Sequence, residues 1–197
     1  MLYNIKVTGT QPIIMHSGSG IDSSTEINLE VAQITKKRGS NRTAADDARL
    51  KQLETLKSFW LDNSGNVTIP PQALRANIEG AARKLKQGPQ VREGLVVLDS
   101  VFNYDKERYG ESLEDLSLST QFTVPVVVQR NRIMRTRAMF DLDWSATFKV
   151  DVDDELVDQI QLETWLDIGG RRLGLGDWRP EKSGMYGRYT AEVSLVN

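Results

Sequence analysis

The stretch "IGGRRLGLGDWRPEKSGMYGRY", residues 168–189, decides how the chain is read. It carries six glycines and five basic residues near the C-terminal end of the sequence. A flexible linker has no use for Leu173, Leu175 and Trp178, which need a surface to pack on. The stretch therefore reads as a structured, basic, glycine-rich loop. It leads from a helix, begun by Asp153 or Asp154 and running to about Asp167, into a last strand over 186–196. Leu156, Ile160 and Leu166 face inward on that helix.

Working outward, residues 2–8 (LYNIKVT) partly alternate and predict a first strand. It runs into "TGTQPIIMHSGSG", a strand end followed by a glycine-bounded loop. Residues 21–42 are polar, and Ile27, Leu29, Val31 and Ile34 give a short apolar periodicity that fits no single element. Residues 44–61 predict a helix. Thr43 caps it, Asp46 and Asp47 face the positive end of its dipole, and Leu50, Leu53, Leu56 and Trp60 form its buried stripe. Val67–Ile69 is a short strand. Pro70 and Pro71 open a helix over 71–87, which Gly88 ends. Residues 94–102 read as a strand and 103–119 as acidic and irregular. Residues 122–128 and 132–140 pair around a turn at Gln129–Asn131, and Asp141–Asp143 turns into a strand over 144–152.

Strands and helices mixed in this order predict an α+β fold with an antiparallel sheet. A ferredoxin-like (split βαβ) core, helices on one face and an inserted region, is the simplest architecture that fits. It is expected as a single domain over 1–197 with insertions at about 18–43 and 103–140.

Hydrophobic residues make up 39% and charged residues 26% of the 197, which fits a globular protein and argues against wholesale disorder. The sequence has no cysteine, which excludes a disulfide framework, a thiolate nucleophile and any Cys-ligated metal. With one histidine, a His-built metal cluster is not expected either. No run of 18 or more apolar residues exists, so no transmembrane helix is expected. The N-terminal sequence has no basic region followed by an apolar stretch, so no signal peptide is expected and a cytoplasmic location is.

The net charge of −2 does not by itself suggest a polyanion partner, but the charge is segregated. Residues 129–138 hold Arg130, Arg132, Arg135 and Arg137 with no acid. Residues 36–42 hold Lys36, Lys37, Arg38 and Arg42 with no acid. The glycine-rich loop adds Arg171, Arg172, Arg179, Lys182 and Arg188 against Asp177 and Glu181. Residues 141–163 hold eight acids against one lysine.

Three features coincide: the first strand running into "TGTQPIIMHSGSG", the late helix running into "GGRRLGLG…GMYGRY", and the terminal strand directly after it. Together they resemble the RAMP superfamily, the RNA-recognition-motif-like (RRM-like) proteins of CRISPR–Cas systems. The apolar–Gly–apolar–Gly form is Leu173-Gly174-Leu175-Gly176, with a second half at Met185-Tyr186-Gly187. Thr10, Pro12, Ile13, Ile14, His16 and Gly18 match the family's pattern after the first strand. Size and the basic middle hairpin are most similar to the backbone subunits that polymerise along a guide RNA, and phage and mobile-element relatives resemble it too. The resemblance covers the two ends of the chain better than its centre. It implies an RRM-like domain in a prokaryotic or phage-infected cell.

Glycines that allow close backbone approach let several N–H groups converge on a phosphate. Arg171, Arg172, Arg179 and Arg188 would neutralise neighbouring phosphates, and Trp178 or Tyr186 would stack a base. Arg135 and Arg137 share one strand face, which tracks a nucleic-acid backbone, with Met134 on the other face and read as core. Lys36, Lys37, Arg38, Arg42 and Lys182 add non-specific attraction. His16 is a phosphate or base contact, or the general base of a metal-free ribonuclease, as the resemblance implies for processing nucleases. Asp22 stands where the resemblance places a cleaving Asp in some relatives, and reads first as a loop acid. The expectation is sequence-independent binding of single-stranded nucleic acid, RNA in preference to DNA, by copies assembled along the strand, alone or with other subunits of a ribonucleoprotein. No cofactor, metal, membrane or catalysis is expected. The alternatives are a metal-independent endoribonuclease using His16, and a non-enzymatic phage or mobile-element interaction protein.

Overall fold

The computed structural model describes residues 1–18, 22–128, 130–142 and 144–196. Its elements are β1 (Leu2–Gly9), β2 (Ile13–Ile14), α1 (Glu26–Lys36), α2 (Ala44–Ser58), α3 (Pro71–Lys84), α4 (Gly88–Gly94), β3 (Leu95–Asn103), α5 (Lys106–Tyr109), α6 (Leu113–Ser119), β4 (Gln121–Val128), β5 (Asn131–Phe140), β6 (Ser145–Val152), α7 (Gln159–Ile168) and β7 (Tyr189–Leu195). This is a mixed α+β chain with antiparallel sheets. It divides into two compact units. The first comprises Met1–Ile14, Trp60–Tyr104 and Phe140–Asn197, and the second comprises Met15–Phe59 and Asp105–Met139. The expected insertions, 18–43 and 103–140, overlap the second unit, which also takes in α2.

The first unit is built on a four-stranded sheet of order β3-β6-β1-β7. Every neighbouring pair is antiparallel, β1 against β6 from Leu2↔Asp151 to Thr8↔Ser145 and β1 against β7 from Tyr3↔Leu195 to Gly9↔Tyr189. With α3 before β3 and α7 before β7, the succession β1-α3-β3-β6-α7-β7 and this strand order are consistent with a ferredoxin-like arrangement. The period-2 pattern decides the covered face: Tyr3, Ile5 and Val7 of β1 and Ala146, Phe148, Val150 and Val152 of β6 are buried. Against the sheet lie α3, through Leu74, Ile78, Ala81 and Ala82, and α7, through Leu162, Trp165 and Leu166.

In the second unit, β4 and β5 form an antiparallel hairpin from Gln121↔Ala138 to Val128↔Asn131. The turn expected at Gln129–Asn131 falls partly on residue 129, outside the described residues. Helix α2 packs on α1, α6 and β4. Its capping box is the expected one: the Thr43 hydroxyl accepts from Asp46 N, and the Asp46 carboxylate accepts from Thr43 N. That hydrogen bonding and the ammonium of Lys37 hold Asp46 down to about 2, with Lys37 the larger cause.

Several elements depart from the sequence expectation. The indeterminate apolar segment after residue 21 is α1, capped by Thr25. The stretch read as acidic and irregular holds α5 and α6, and α6 has a Ser112–Asp115 capping box. The helix expected over 71–87 ends at Lys84, and Gly88 begins α4 because Pro89 suits a first turn. Helix α7 starts later than expected, since the cap is Asp158 rather than Asp153 or Asp154. Met134, read as core, is 58% exposed.

Candidate nucleic-acid interface

The glycine-rich loop is bound tightly to the first unit. Helix α7 passes into one π-helical turn, Gly169–Leu173, closed by Gly174 N donating to Gly169 O at 2.8 Å. Asn77 of α3 ties this turn down. Its Nδ2 donates to Gly174 O (2.7 Å) and Gly169 O (3.3 Å), and its Oδ1 accepts from the hydroxyl of Tyr189 at 2.7 Å. Burial pushes the Tyr189 phenol far up, so it stays a donor. Leu175 N donates to Gly187 O (2.8 Å), Gly187 N to Pro12 O (2.7 Å), and Asp177 N to Ile14 O (2.8 Å). At Gly187, with φ of 69°, an added Cβ would sit 1.7 Å from Leu175 O. These glycines allow backbone to meet backbone inside the protein. The N–H groups of Gly174, Leu175, Asp177, Gly184, Tyr186 and Gly187 all donate to carbonyls of the chain itself, so they do not form the expected phosphate cradle.

The loop's basic residues lie around this knot. Arg179 donates through Nε and Nη2 to Glu181 (2.9 and 2.6 Å) and through Nη1 to Gly176 O (2.9 Å). Arg171 pairs with Asp167 at 2.8 Å, and Arg188 donates to Arg171 O. Arg172 and Lys182 are exposed. Trp178 is half-buried, with its ring 6.4 Å from that of Tyr186. The open face of the four-stranded sheet carries Asn4, Lys6, Thr8, Thr147, Lys149, Thr190 and Glu192. None is aromatic, so this face lacks the stacking rings by which RRM sheets hold bases.

The second unit brings part of the sequence-predicted set together. A cavity of about 630 Å³ lies between the segment after Ile14, α1, α2 and β5. His16, Arg135 and Arg137 line it, joined by Lys57 and Glu54 of α2. Two backbone-directed contacts fix β5 against α2. Ser58 Oγ accepts from Ala138 N at 2.7 Å, and Glu54 Oε2 accepts from Thr136 N at 2.8 Å. Ser17 N donates to Ser58 O at 3.0 Å, which places His16 at the rim. Glu54 Oε1 also accepts from Arg135 Nη1 at 2.7 Å.

Lys57, Arg135 and Arg137 thus set three cations against the single carboxylate of Glu54 on the walls of this cavity, among the described residues. Burial, and then the neighbouring charges, shift these groups. His16 is pushed below its ordinary value by burial and then by Arg137, so it is neutral at pH 7. Lys57 is pushed down by burial, with Glu54 opposing and Arg135 adding. Arg137 is lowered by burial and by Arg135. A cavity of this size with convergent cations and little opposing charge suits an anionic ligand.

The other predicted residues stand apart from it or are paired. Lys37 bonds Asp46 and Arg42 bonds Asp47, each at 2.6 Å, while Lys36 and Arg38 are exposed. Arg130 and Arg132 are exposed toward the tip of the hairpin. Asp22 accepts from Ser24 N and Oγ at 2.9 and 2.6 Å, a turn-forming role ahead of α1. Among the described residues no group of three or more acids and histidines is placed to hold a metal, and no helix is long and apolar enough to cross a membrane. No protein-family model matches the chain, and no curated protein matches its sequence.

Proposed function

We propose that this protein binds single-stranded nucleic acid, RNA in preference to DNA, through backbone phosphates seated at the cavity of the second unit. The observation that carries the reading is the presence of Arg135, Arg137, Lys57 and His16 on the walls of one cavity, with Glu54 the one acid among the described lining residues. Charges of this kind read phosphate and carry little sequence information, so binding is sequence-independent. The exposed Arg130 and Arg132 on the same hairpin, and Lys36 and Arg38, extend the attraction along a strand. One chain of 197 residues covers only a few nucleotides, so copies assemble along a longer strand. Within this reading the first unit is an RRM-like domain of the RAMP type, and its glycine-rich loop is a structural knot. The test is fluorescence anisotropy with labelled single-stranded RNA and DNA of equal length at low and high salt. Affinity that falls steeply with salt and favours RNA is expected. No binding to either at low salt would reverse the proposal in favour of a protein-interaction role.

One observation favours a second reading. The neutral His16 and the lowered ammonium of Lys57 line the same cavity, the pairing a metal-independent ribonuclease uses to take the 2′-hydroxyl proton and protonate the leaving oxygen. This reading expects cut RNA in the presence of a chelator, lost on His16→Ala. Binding without cutting leaves the first reading alone.

A further inference from the structure

A second cavity, of about 300 Å³, lies within the first unit, between Trp60, α3 and the glycine-rich loop. Its charges are balanced. Arg83 and Arg179 line it together with Glu79 and Glu181, and each is already paired, Arg83 Nη2 with Glu79 and Arg179 Nη2 with Glu181, both at 2.6 Å. Such a lining suits an uncharged ligand better than a phosphate. Two donors of the lining residues have no acceptor among the described residues: the indole Nε1–H of Trp60 and the backbone N–H of Gly176. Gly176 is buried, and a buried N–H is nearly always paired. Its surroundings are fixed, since Asn77 Nδ2 donates to Gly174 O at 2.7 Å and Arg179 Nη1 to Gly176 O at 2.9 Å. Trp60 is fixed too, its carbonyl accepting from Thr68 N at 2.9 Å. Its ring is half-buried and has no aromatic partner among the described residues.

We propose that this cavity holds a single nucleobase, stacked on Trp60 and accepting from Gly176 N–H at its edge. A nucleobase is flat and uncharged at neutral pH, and its edge carries the acceptors that the two free donors need. Guanidinium planes such as that of Arg83 add a second surface for stacking. A cavity of about 300 Å³ stands at the small end of ligand sites, the size of one nucleoside. The open face of the four-stranded sheet has no aromatic ring for this role, and Trp60 supplies one. No lining residue is shared with the cavity of the second unit, so the inference does not rest on the phosphate seat there. Stacking strength favours a purine over a pyrimidine.

The test uses the full chain with adenosine, uridine and ribose as probes, read by saturation-transfer difference NMR and by backbone amide shifts. The expected result is transfer to the adenine ring protons ahead of the ribose protons, a shift of the Gly176 amide, tighter binding of adenosine than of uridine, and none of ribose. Trp60→Leu should weaken adenosine about tenfold or more, and Trp60→Phe, which keeps a ring, should weaken it less. Circular dichroism checks that each variant folds, and the Gly176 amide of wild-type protein decides the matter if Trp60→Leu does not. Adenosine that single-stranded RNA displaces assigns the site to a base of the strand. Adenosine that binds equally well with RNA present assigns it to a free nucleoside, and either result supports the inference. No transfer to the adenine protons, an unmoved Gly176 amide, or a folded Trp60→Leu protein that binds adenosine as wild type does overturns it, whether or not the protein binds RNA.

Discussion

Replacing Glu54 by glutamine should tighten RNA binding, although it removes a contact seen in the structure. The Glu54 carboxylate occupies Arg135 as an internal anion, at 2.7 Å from Nη1. A phosphate seated on the same guanidinium lies roughly 6 Å from that carboxylate, and two unit charges at that distance repel by about 3 kcal/mol at an effective dielectric constant near 20. Arg135 is 46% exposed, so solvent and salt reduce this to about 1 kcal/mol. Glutamine keeps the shape and the acceptor for Thr136 N but removes the charge. The expected gain is about fivefold in Kd at low salt, shrinking as salt rises. Anisotropy titration of wild-type and Glu54→Gln protein with the same RNA reads it directly. Unchanged or weaker binding by a folded Glu54→Gln protein would refute the argument, because it would mean that no phosphate comes near Arg135.

Other predictions follow from the same contacts. His16 is held neutral by burial and Arg137, whereas a phosphate beside it would favour the imidazolium. Binding should therefore take up a proton, and affinity should rise as pH falls from about 8 to about 6 through the ordinary histidine range, with the dependence flattened in His16→Ala. Asn77→Ala strands the Tyr189 hydroxyl and the carbonyl of Gly174, and should cost about 2 to 3 kcal/mol in a denaturant titration. Gly187→Ala places a Cβ against Leu175 O at positive φ and should cost about 3 kcal/mol or more by the same measurement.

Much of the fold is legible in the sequence because its signals are local. The alternation of Tyr3, Ile5 and Val7, the Pro70-Pro71 helix start and the Thr43–Asp46 box each specify an element within a few residues. The misreadings share a cause in competing local signals. Ile27, Leu29, Val31 and Ile34 mix spacings of two and three, so α1 matches neither template cleanly. Gly88-Pro89 signals a helix stop as readily as the start of α4. Asp153 and Asp154 offer caps before Asp158, which alone completes a box with Gln161. The candidate site was half legible. The run of arginines on β5 and the lone His16 are visible as composition, whereas nothing in the sequence singles out Glu54 or Lys57. Only the hydrogen bonds from Thr136 N and Ala138 N to Glu54 and Ser58 reveal that β5 packs on this part of α2. The backbone role of the glycine-rich loop is undecided in the sequence for a related reason: glycine spacing signals close approach, and nothing in the spacing says whether the approaching group is a phosphate or, as at Gly176, the carbonyl of Ile14.

The most direct test of the cavity as the strand's seat is the salt dependence of RNA affinity for wild-type protein against Arg135→Ala, Arg137→Ala. Each phosphate released lowers the slope of log Kobs on log salt by about 0.7 for a single strand, so losing two contacts should flatten it by about 1.4 and weaken binding at low salt. A slope and affinity equal to wild type, in a variant that still folds, would contradict the account and take the binding face away from β5.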